Sequence, residues 1–263
     1  MVSSEQRRRQ LAREKYERQI QRRAEAQKQA RKRNVLVGAG VAVAVVAAAG
    51  TAWALGGSDG DKKDAAAAPT PTAAATPVKG CTTPAPGSPN GKQFKTEPAM
   101  TVDTKASYTM ALDTSCGKVT IALDAAKAPH TVNSFAFLSN EKYFDHTKCH
   151  RLTTEGIYVL QCGDPTGTGS GGPGYQFADE NLTGATYPAG TVAMANAGAG
   201  TNGSQFFLVY KDTQLPPNYT PFGKVTGGLD VVQNIAAGGV QGGGGDGAPV
   251  ADVVLNSVTT TKG

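Results

Sequence analysis

Three histidines, His130, His146 and His150, are the first side chains in this 263-residue chain to weigh for acid–base or nucleophilic chemistry. A histidine activates a serine only where the fold presents both, and the strand, Gly-x-Ser-x-Gly turn and helix that do so elsewhere are absent. The nearest match, Gly167-Thr168-Gly169-Ser170-Gly171, lies among turn-forming residues and reads as a flexible loop. The same run lacks the Gly-Lys-Ser/Thr ending of a phosphate-binding loop. No Cys-x-x-Cys pair occurs, so neither zinc nor any other metal or cofactor is expected.

Four cysteines remain, Cys81, Cys116, Cys149 and Cys162, an even count suited to disulfides in an oxidising compartment. Cys149 and Cys162 fall in consecutive short strands that can form a hairpin, within the required Cα reach of about 7 Å. Cys81 and Cys116 are then left to tie the lead-in to the first hairpin. This is one of three connectivities, and a buried free thiol is the alternative for each. Lipid modification of Cys81 fits poorly, because Val78-Lys79-Gly80 lies far beyond the apolar run.

An isolated arginine usually ends in a surface ion pair, but the setting of Arg151 is distinctive. Cys149-His150-Arg151, an F-x-R-like triplet, is followed by Val159-Leu160-Gln161-Cys162-Gly163-Asp164 and Met194-Ala195-Asn196-Ala197-Gly198. Thr201-Asn202-Gly203-Ser204-Gln205-Phe206-Phe207 and Phe222-Gly223-Lys224-Val225 complete the series. In order and spacing, across about 160 residues, these phrases resemble the cyclophilins. The Ala/Gly/Arg-rich style and basic N-terminus are similar to membrane-anchored actinobacterial members.

The resemblance implies a closed eight-stranded antiparallel barrel whose outer groove binds X-Pro segments, and a peptidyl-prolyl cis-trans isomerase. Arg151 would be the catalytic arginine and Gln161 the glutamine beside it. Phe207 and Leu215 resemble the apolar proline pocket, with Tyr158 and Val159 at its phenylalanine and methionine. Ala195, Asn196 and Gln205 resemble the groups that grip the substrate backbone. The sequence departs from the family at Thr153-Thr154-Glu155-Gly156-Ile157, about two residues longer than usual, so a slip would put Ile157 in place of Tyr158. Gln214 stands where tryptophan is frequent and Tyr219 where histidine is usual, which implies retained activity and weaker binding of cyclosporin-like ligands.

Isomerisation breaks no covalent bond and twists one amide, so no acid–base pair is needed. Twisting localises the proline nitrogen's lone pair, which can then accept a hydrogen bond that a permanently charged arginine donates. Shortening tens of seconds to milliseconds takes roughly 5–6 kcal/mol of differential stabilisation. One charged hydrogen bond is insufficient. An apolar pocket must hold the ring while backbone contacts pin the flanking chain.

The elements that would position these groups are short strands with turn residues between them, mostly β with two or so helices. A hairpin is expected around Thr114-Ser115-Cys116-Gly117. An amphipathic helix comes after Pro129, with Thr131 as its N-cap. In the strand holding Phe206 and Phe207, alternation sends Phe206 to the core and Phe207 to the groove.

Residues 1–34 hold 12 Lys/Arg against 4 Asp/Glu, so a net charge of +5 becomes −3 for the remainder. They read as a basic helix. Val35–Leu55 has no charge over 21 residues, enough to span a hydrocarbon core of about 30 Å. The basic flank keeps the N-terminus cytoplasmic and exports the chain beyond Leu55. A cleaved signal peptide, with Ala52-Trp53-Ala54 as its site, is the alternative. Residues 56–100 form an Ala/Pro/Thr-rich linker, of which 81–99 is an ordered or half-ordered lead into the 101–263 domain.

The reading is therefore a monomeric, single-pass membrane protein assisting the folding of exported proteins, with proline-containing segments as partners. A weakly active X-Pro recruitment module is the rival. Nucleic-acid binding through 1–34 is not expected, because the apolar run then goes unused. Three Asn-x-Ser/Thr triplets, at Asn181, Asn202 and Asn218, are taken to carry no glycan.

Overall fold

The structure, a computed structural model, describes residues 78–263. The expected basic helix 1–34, the membrane span 35–55 and residues 56–77 of the linker lie outside the described residues. No helix among the described residues is long and apolar enough to cross a membrane.

β1 (Tyr108–Thr114) and β2 (Gly117–Leu123) form the expected hairpin, with Thr114 opposite Gly117. Its turn is tied by the Thr114 hydroxyl, which donates to the Gly117 carbonyl at 2.6 Å and accepts from the Cys116 amide at 3.0 Å. Along β1, Tyr108, Met110, Leu112 and Thr114 alternate inward as period-two side chains must.

α1 (Pro129–Asn140) starts on proline, whose fixed φ suits the first turn. The expected N-cap is corrected: Thr131 lies inside the helix, and Ala128 at the cap position offers no side-chain bond. Glu180 caps from a distant loop instead, its carboxylate accepting from the amides of His130 at 3.0 Å and Thr131 at 2.9 Å. A carboxylate there satisfies orphan donors and complements the helix dipole.

β3 (Thr147–Lys148), β4 (Arg151–Thr153), β5 (Val159–Cys162), β6 (Thr191–Met194), β7 (Phe206–Val209) and β8 (Pro221–Gly227) come next along the chain. Then come α2 (Leu229–Ala237), β9 (Asp246–Gly247) and β10 (Val254–Lys262). The strands pair antiparallel in one curled half-barrel sheet, ordered β3-β10-β1-β2-β8-β6-β7-β5-β4-β9.

Ten strands among the described residues replace the expected eight for two local reasons. The strand expected over Cys149–Thr153 begins earlier and is split at Cys149-His150, β3 pairing with β10 and β4 with β5. The glycine-rich chain near Asp246 adds β9 against β4.

Apart from Gln161 and Thr191, the side chains of β5, β6 and β7 are buried on both faces, which is why these strands read as largely apolar. Leu160, Cys162, Val192, Met194, Phe206 and Leu208 belong to the main core, where Phe206 meets Phe135 edge-on at 5.4 Å. Val159, Ala193, Phe207 and Val209 face the opposite way, into a smaller cluster with Tyr187.

Residues 78–106, termed the strap, are tied to the rest of the domain. Cys81 is bonded to Cys116, the Phe94 ring packs edge-on against Phe137 at 4.8 Å, and Asn133 accepts from the Thr101 and Val102 amides. The second disulfide is Cys149–Cys162. No free cysteine remains.

Candidate active site

One row across the sheet collects side chains from four strands. The register sets Arg151 of β4 opposite Gln161 of β5, Gln161 opposite Phe207 of β7, and Phe207 opposite Ala193 of β6. With strands about 4.8 Å apart, Arg151 and Phe207 stand roughly 10 Å apart at the backbone, a span one proline residue and its amide can bridge.

Phe207, Val159 and Ala193 make the floor of the apolar part, all nearly closed to solvent, with Ile157, Ala195, Leu215 and Tyr219 half-buried around them. Tyr219 stands edge-on to Phe207 at 5.6 Å. Its backbone is clamped by Tyr187, whose hydroxyl donates to the Tyr219 carbonyl at 2.8 Å and accepts from its amide at 3.1 Å.

One expected pocket residue lies elsewhere. Tyr158 points away from this cluster, packing edge-on with Tyr210 at 6.0 Å, while the Lys211 ammonium lies 4.3 Å from its ring centre. Strand alternation puts residues 157 and 159 on the groove face and 158 on the other, so Ile157 takes the place first given to Tyr158. Val159, with 2% of its surface exposed, lies in the same cluster as Phe207.

The polar half is a chain of hydrogen bonds. Asp246 accepts from Arg151 Nε at 2.7 Å and Nη2 at 2.6 Å, and Arg151 Nη1 donates to Gln161 Oε1 at 3.2 Å. Gln161 Nε2 donates to Gln205 Oε1 at 2.8 Å, and Gln205 Nε2 to the Gly171 carbonyl at 2.8 Å. The hydrogen bonds from Arg151 hold the Asp246 carboxyl below its usual pKa, and Asp246 in turn raises the guanidinium's. Asp246 was missed in the sequence, where it ends a run of four glycines and carries no recognisable signal.

Asn196 Nδ2 donates to the Asn218 carbonyl at 2.8 Å, holding the loop that carries Leu215 and Tyr219. The Ala195 amide donates to the Gln205 carbonyl at 2.9 Å, so these two backbones pair beyond the ends of β6 and β7.

The glycine-rich loop, expected to be flexible, is wound around a carboxylate. Asp164 is fully buried and accepts from the amides of Thr166 at 2.7 Å, Gly169 at 2.6 Å and Gly171 at 3.1 Å, and from the Thr166 hydroxyl at 2.8 Å. Burial pushes its pKa up, but these bonds outweigh burial and leave the carboxyl below its ordinary value. The amides that elsewhere cradle phosphate here fix the loop whose Gly171 carbonyl receives Gln205.

None of the three histidines belongs to the Phe207 cluster or to the hydrogen-bond chain. His130 pairs with Glu97 at 2.7 Å, and burial lowers the pKa of His150. No group of side chains suited to a metal ion occurs among the described residues.

Residues 109–260 match the family described as cyclophilin type peptidyl-prolyl cis-trans isomerase/CLD. The chain belongs to that family. This cyclophilin-type chain is 44% identical over 199 residues to a Mycobacterium leprae protein named probable peptidyl-prolyl cis-trans isomerase B, covering 70% of this chain and 62% of that protein. It is 47% identical over 167 residues to the Mycobacterium tuberculosis protein of the same name, covering 58% and 54%. The match thus spans less than two thirds of either mycobacterial cyclophilin's length. A solved cyclophilin type isomerase of Cryptosporidium parvum superposes with TM-score 0.54 at 28% identity, over 60% of this chain and 99% of its own. A second structure of that protein, determined in the presence of the dipeptide Ala-Pro, gives TM-score 0.53.

Proposed function

We propose that this chain is a peptidyl-prolyl cis-trans isomerase that accelerates X-Pro isomerisation in exported proteins and so assists their folding. The single row that sets Arg151 and Gln161 beside the Phe207 floor is the observation that carries this reading. The proline ring rests on Phe207 within the rim of Ile157, Leu215 and Tyr219. Arg151, oriented by Asp246 and Gln161, donates to the proline nitrogen as twisting localises its lone pair, an interaction stronger in the twisted state than in either planar one. Backbone beside Ala195 and Gln205 holds the flanking peptide so that rotation is directed. The names of the mycobacterial relatives and the structure determined with Ala-Pro support this assignment.

The reading includes a closed barrel completed through residues 147–153. It also takes Val35–Leu55 as a single membrane span, with the N-terminus cytoplasmic, the 101–263 domain outside and a monomer as the working unit. The basic flank and the uncharged run support the placement, as do two disulfides, which persist where conditions are oxidising.

The test is isomerisation of an X-Pro peptide by the full-length chain beside its Arg151→Ala variant, with both shown to be folded by circular dichroism. Strong catalysis that falls about a hundredfold in the variant is expected. A folded chain that binds the peptide without accelerating it overturns the enzyme reading in favour of recruitment. Protease added to intact cells reaches the C-terminal domain if the placement is right and spares it if the domain is internal.

A further inference from the structure

Beyond Gln161 the groove continues into a second chamber of about 770 Å³, and one of its walls comes from the strap rather than the sheet. Gln161 and Gln205 line this chamber as well as belonging to the Arg151 chain, so a peptide seated on Phe207 reaches it within one or two residues, at about 3.5 Å each. Opposite them stands Gln93. Its Nε2 donates to the Gly172 carbonyl at 2.8 Å, and the neighbouring Phe94 amide donates to the Pro173 carbonyl at 2.8 Å.

The strap meets the glycine loop so closely that a Cβ at Gly174 would sit 2.6 Å from the Phe94 carbonyl oxygen. The strap is also held three residues upstream of Gln93, since Asn90 Nδ2 donates to the carbonyls of Glu141 at 3.0 Å and Lys142 at 2.9 Å. Gln93 is exposed, and its bond to the Gly172 carbonyl sets it at the chamber's edge. Its Oε1 accepts no hydrogen bond among the described residues.

Every polar side chain lining the chamber is an uncharged amide or hydroxyl, including Gln176 and Thr201. A charged side chain entering it would lose hydration without meeting an opposite charge. An apolar one would cover amides and leave them unpaired, the situation that lets hydrogen-bonding sites reject apolar analogues strongly.

We propose that Gln93 makes the strap a substrate-selecting wall, through which the chain favours an uncharged hydrogen-bonding side chain, such as Gln, Asn or Ser, one or two residues from the X-Pro bond. The proposal rests on the isomerase reading and adds to it a selecting residue from outside the barrel.

The experiment compares a peptide series Xaa-Ala-Pro-Phe, with Xaa as Gln, Ser, Leu, Lys or Glu, on the full-length chain and on its Gln93→Ala and Gln93→Glu variants. Both kcat/KM and, with fluorescently labelled peptides, Kd are measured. Wild type favours Gln and Ser. Gln93→Ala cuts the Gln-over-Leu ratio about threefold to tenfold, the worth of one hydrogen bond. Gln93→Glu moves the preference toward Lys and against Glu, which a purely structural role for Gln93 does not produce. Unchanged ratios, or an equal fall on every peptide, overturn the proposal. Binding that shows this pattern without turnover defeats the isomerase reading and leaves the selecting wall standing. Absence of both binding and turnover defeats the two together.

Discussion

Arg151 is gripped along one edge of its guanidinium by Asp246, through Nε at 2.7 Å and Nη2 at 2.6 Å, while Nη1 on the other edge donates to Gln161. The usual fate of a lone arginine, a surface ion pair, is therefore realised at the position that the cyclophilin pattern marks for catalysis. Both partners are partly exposed, so the pair adds little to stability. Its effect is geometric, because a bidentate carboxylate fixes the plane of the fork.

Asp246→Asn keeps the shape and removes the charge that orients Arg151. We expect kcat to fall about threefold to tenfold with KM nearly unchanged, against the larger loss for Arg151→Ala. Since Asp246's pKa is depressed in the folded chain, its support is present above the ordinary carboxylate range and lost only as pH falls through the depressed value. Peptide kinetics from about pH 5 upward should show no step from this pair.

Phe206 and Phe207 are neighbours with separate roles. Phe206→Ala removes a ring packed among Phe135 and Phe144 and should cost about 3–5 kcal/mol, read as a lower denaturant midpoint. Phe207→Ala should cost less stability, since its cluster is small, yet raise KM for X-Pro peptides by tenfold or more, at about 1.4 kcal/mol per decade. Equal losses of stability would argue against two faces.

The His130–Glu97 pair joins the strap to α1 at 2.7 Å, and the bond to Glu97 raises the His130 pKa. A raised histidine pKa means that the pair's contribution is fully present below the ordinary value of about 6.5 and lost as pH rises through the raised one. The melting-temperature difference between wild type and His130→Gln should therefore be largest near about pH 5.5 and fade toward about pH 8.5.

Removing a disulfide releases chain entropy in the unfolded state according to loop length. For the separation of 13 residues between Cys149 and Cys162 the expected cost is about 3 kcal/mol, and for the 35 between Cys81 and Cys116 about 4 kcal/mol. Paired Cys→Ser variants taken through urea unfolding measure each one. A negligible change for either would mean that its loop is already restrained in the unfolded chain.

The features legible in the sequence were local in character. Alternation assigned Phe206 and Phe207 to opposite faces, and hairpin spacing placed Cys149 near Cys162. Those that stayed hidden depended on partners far along the chain. Asp246 meets Arg151 across 95 residues, and Glu180 caps α1 from 49 residues beyond Thr131. Around Tyr158 the two extra residues left the register open by one, and a slip of one exchanges faces. Prolines left the order of 81–99 open, because the packing that holds it comes from Phe137 and Asn133 of α1 and from Tyr143 just beyond it.

Cys81 is the first covalent crossing the chain makes on entering the described domain, and it comes before Gln93. A mechanical load arriving from upstream passes through sulfur to Cys116, at the tip of the β1–β2 hairpin, and so into the sheet. Residues 82–107, bypassed by that path, are spared the direct pull along the backbone. A domain pulled by its leading end would keep the Gln93 wall slack and in place while the sheet takes the strain.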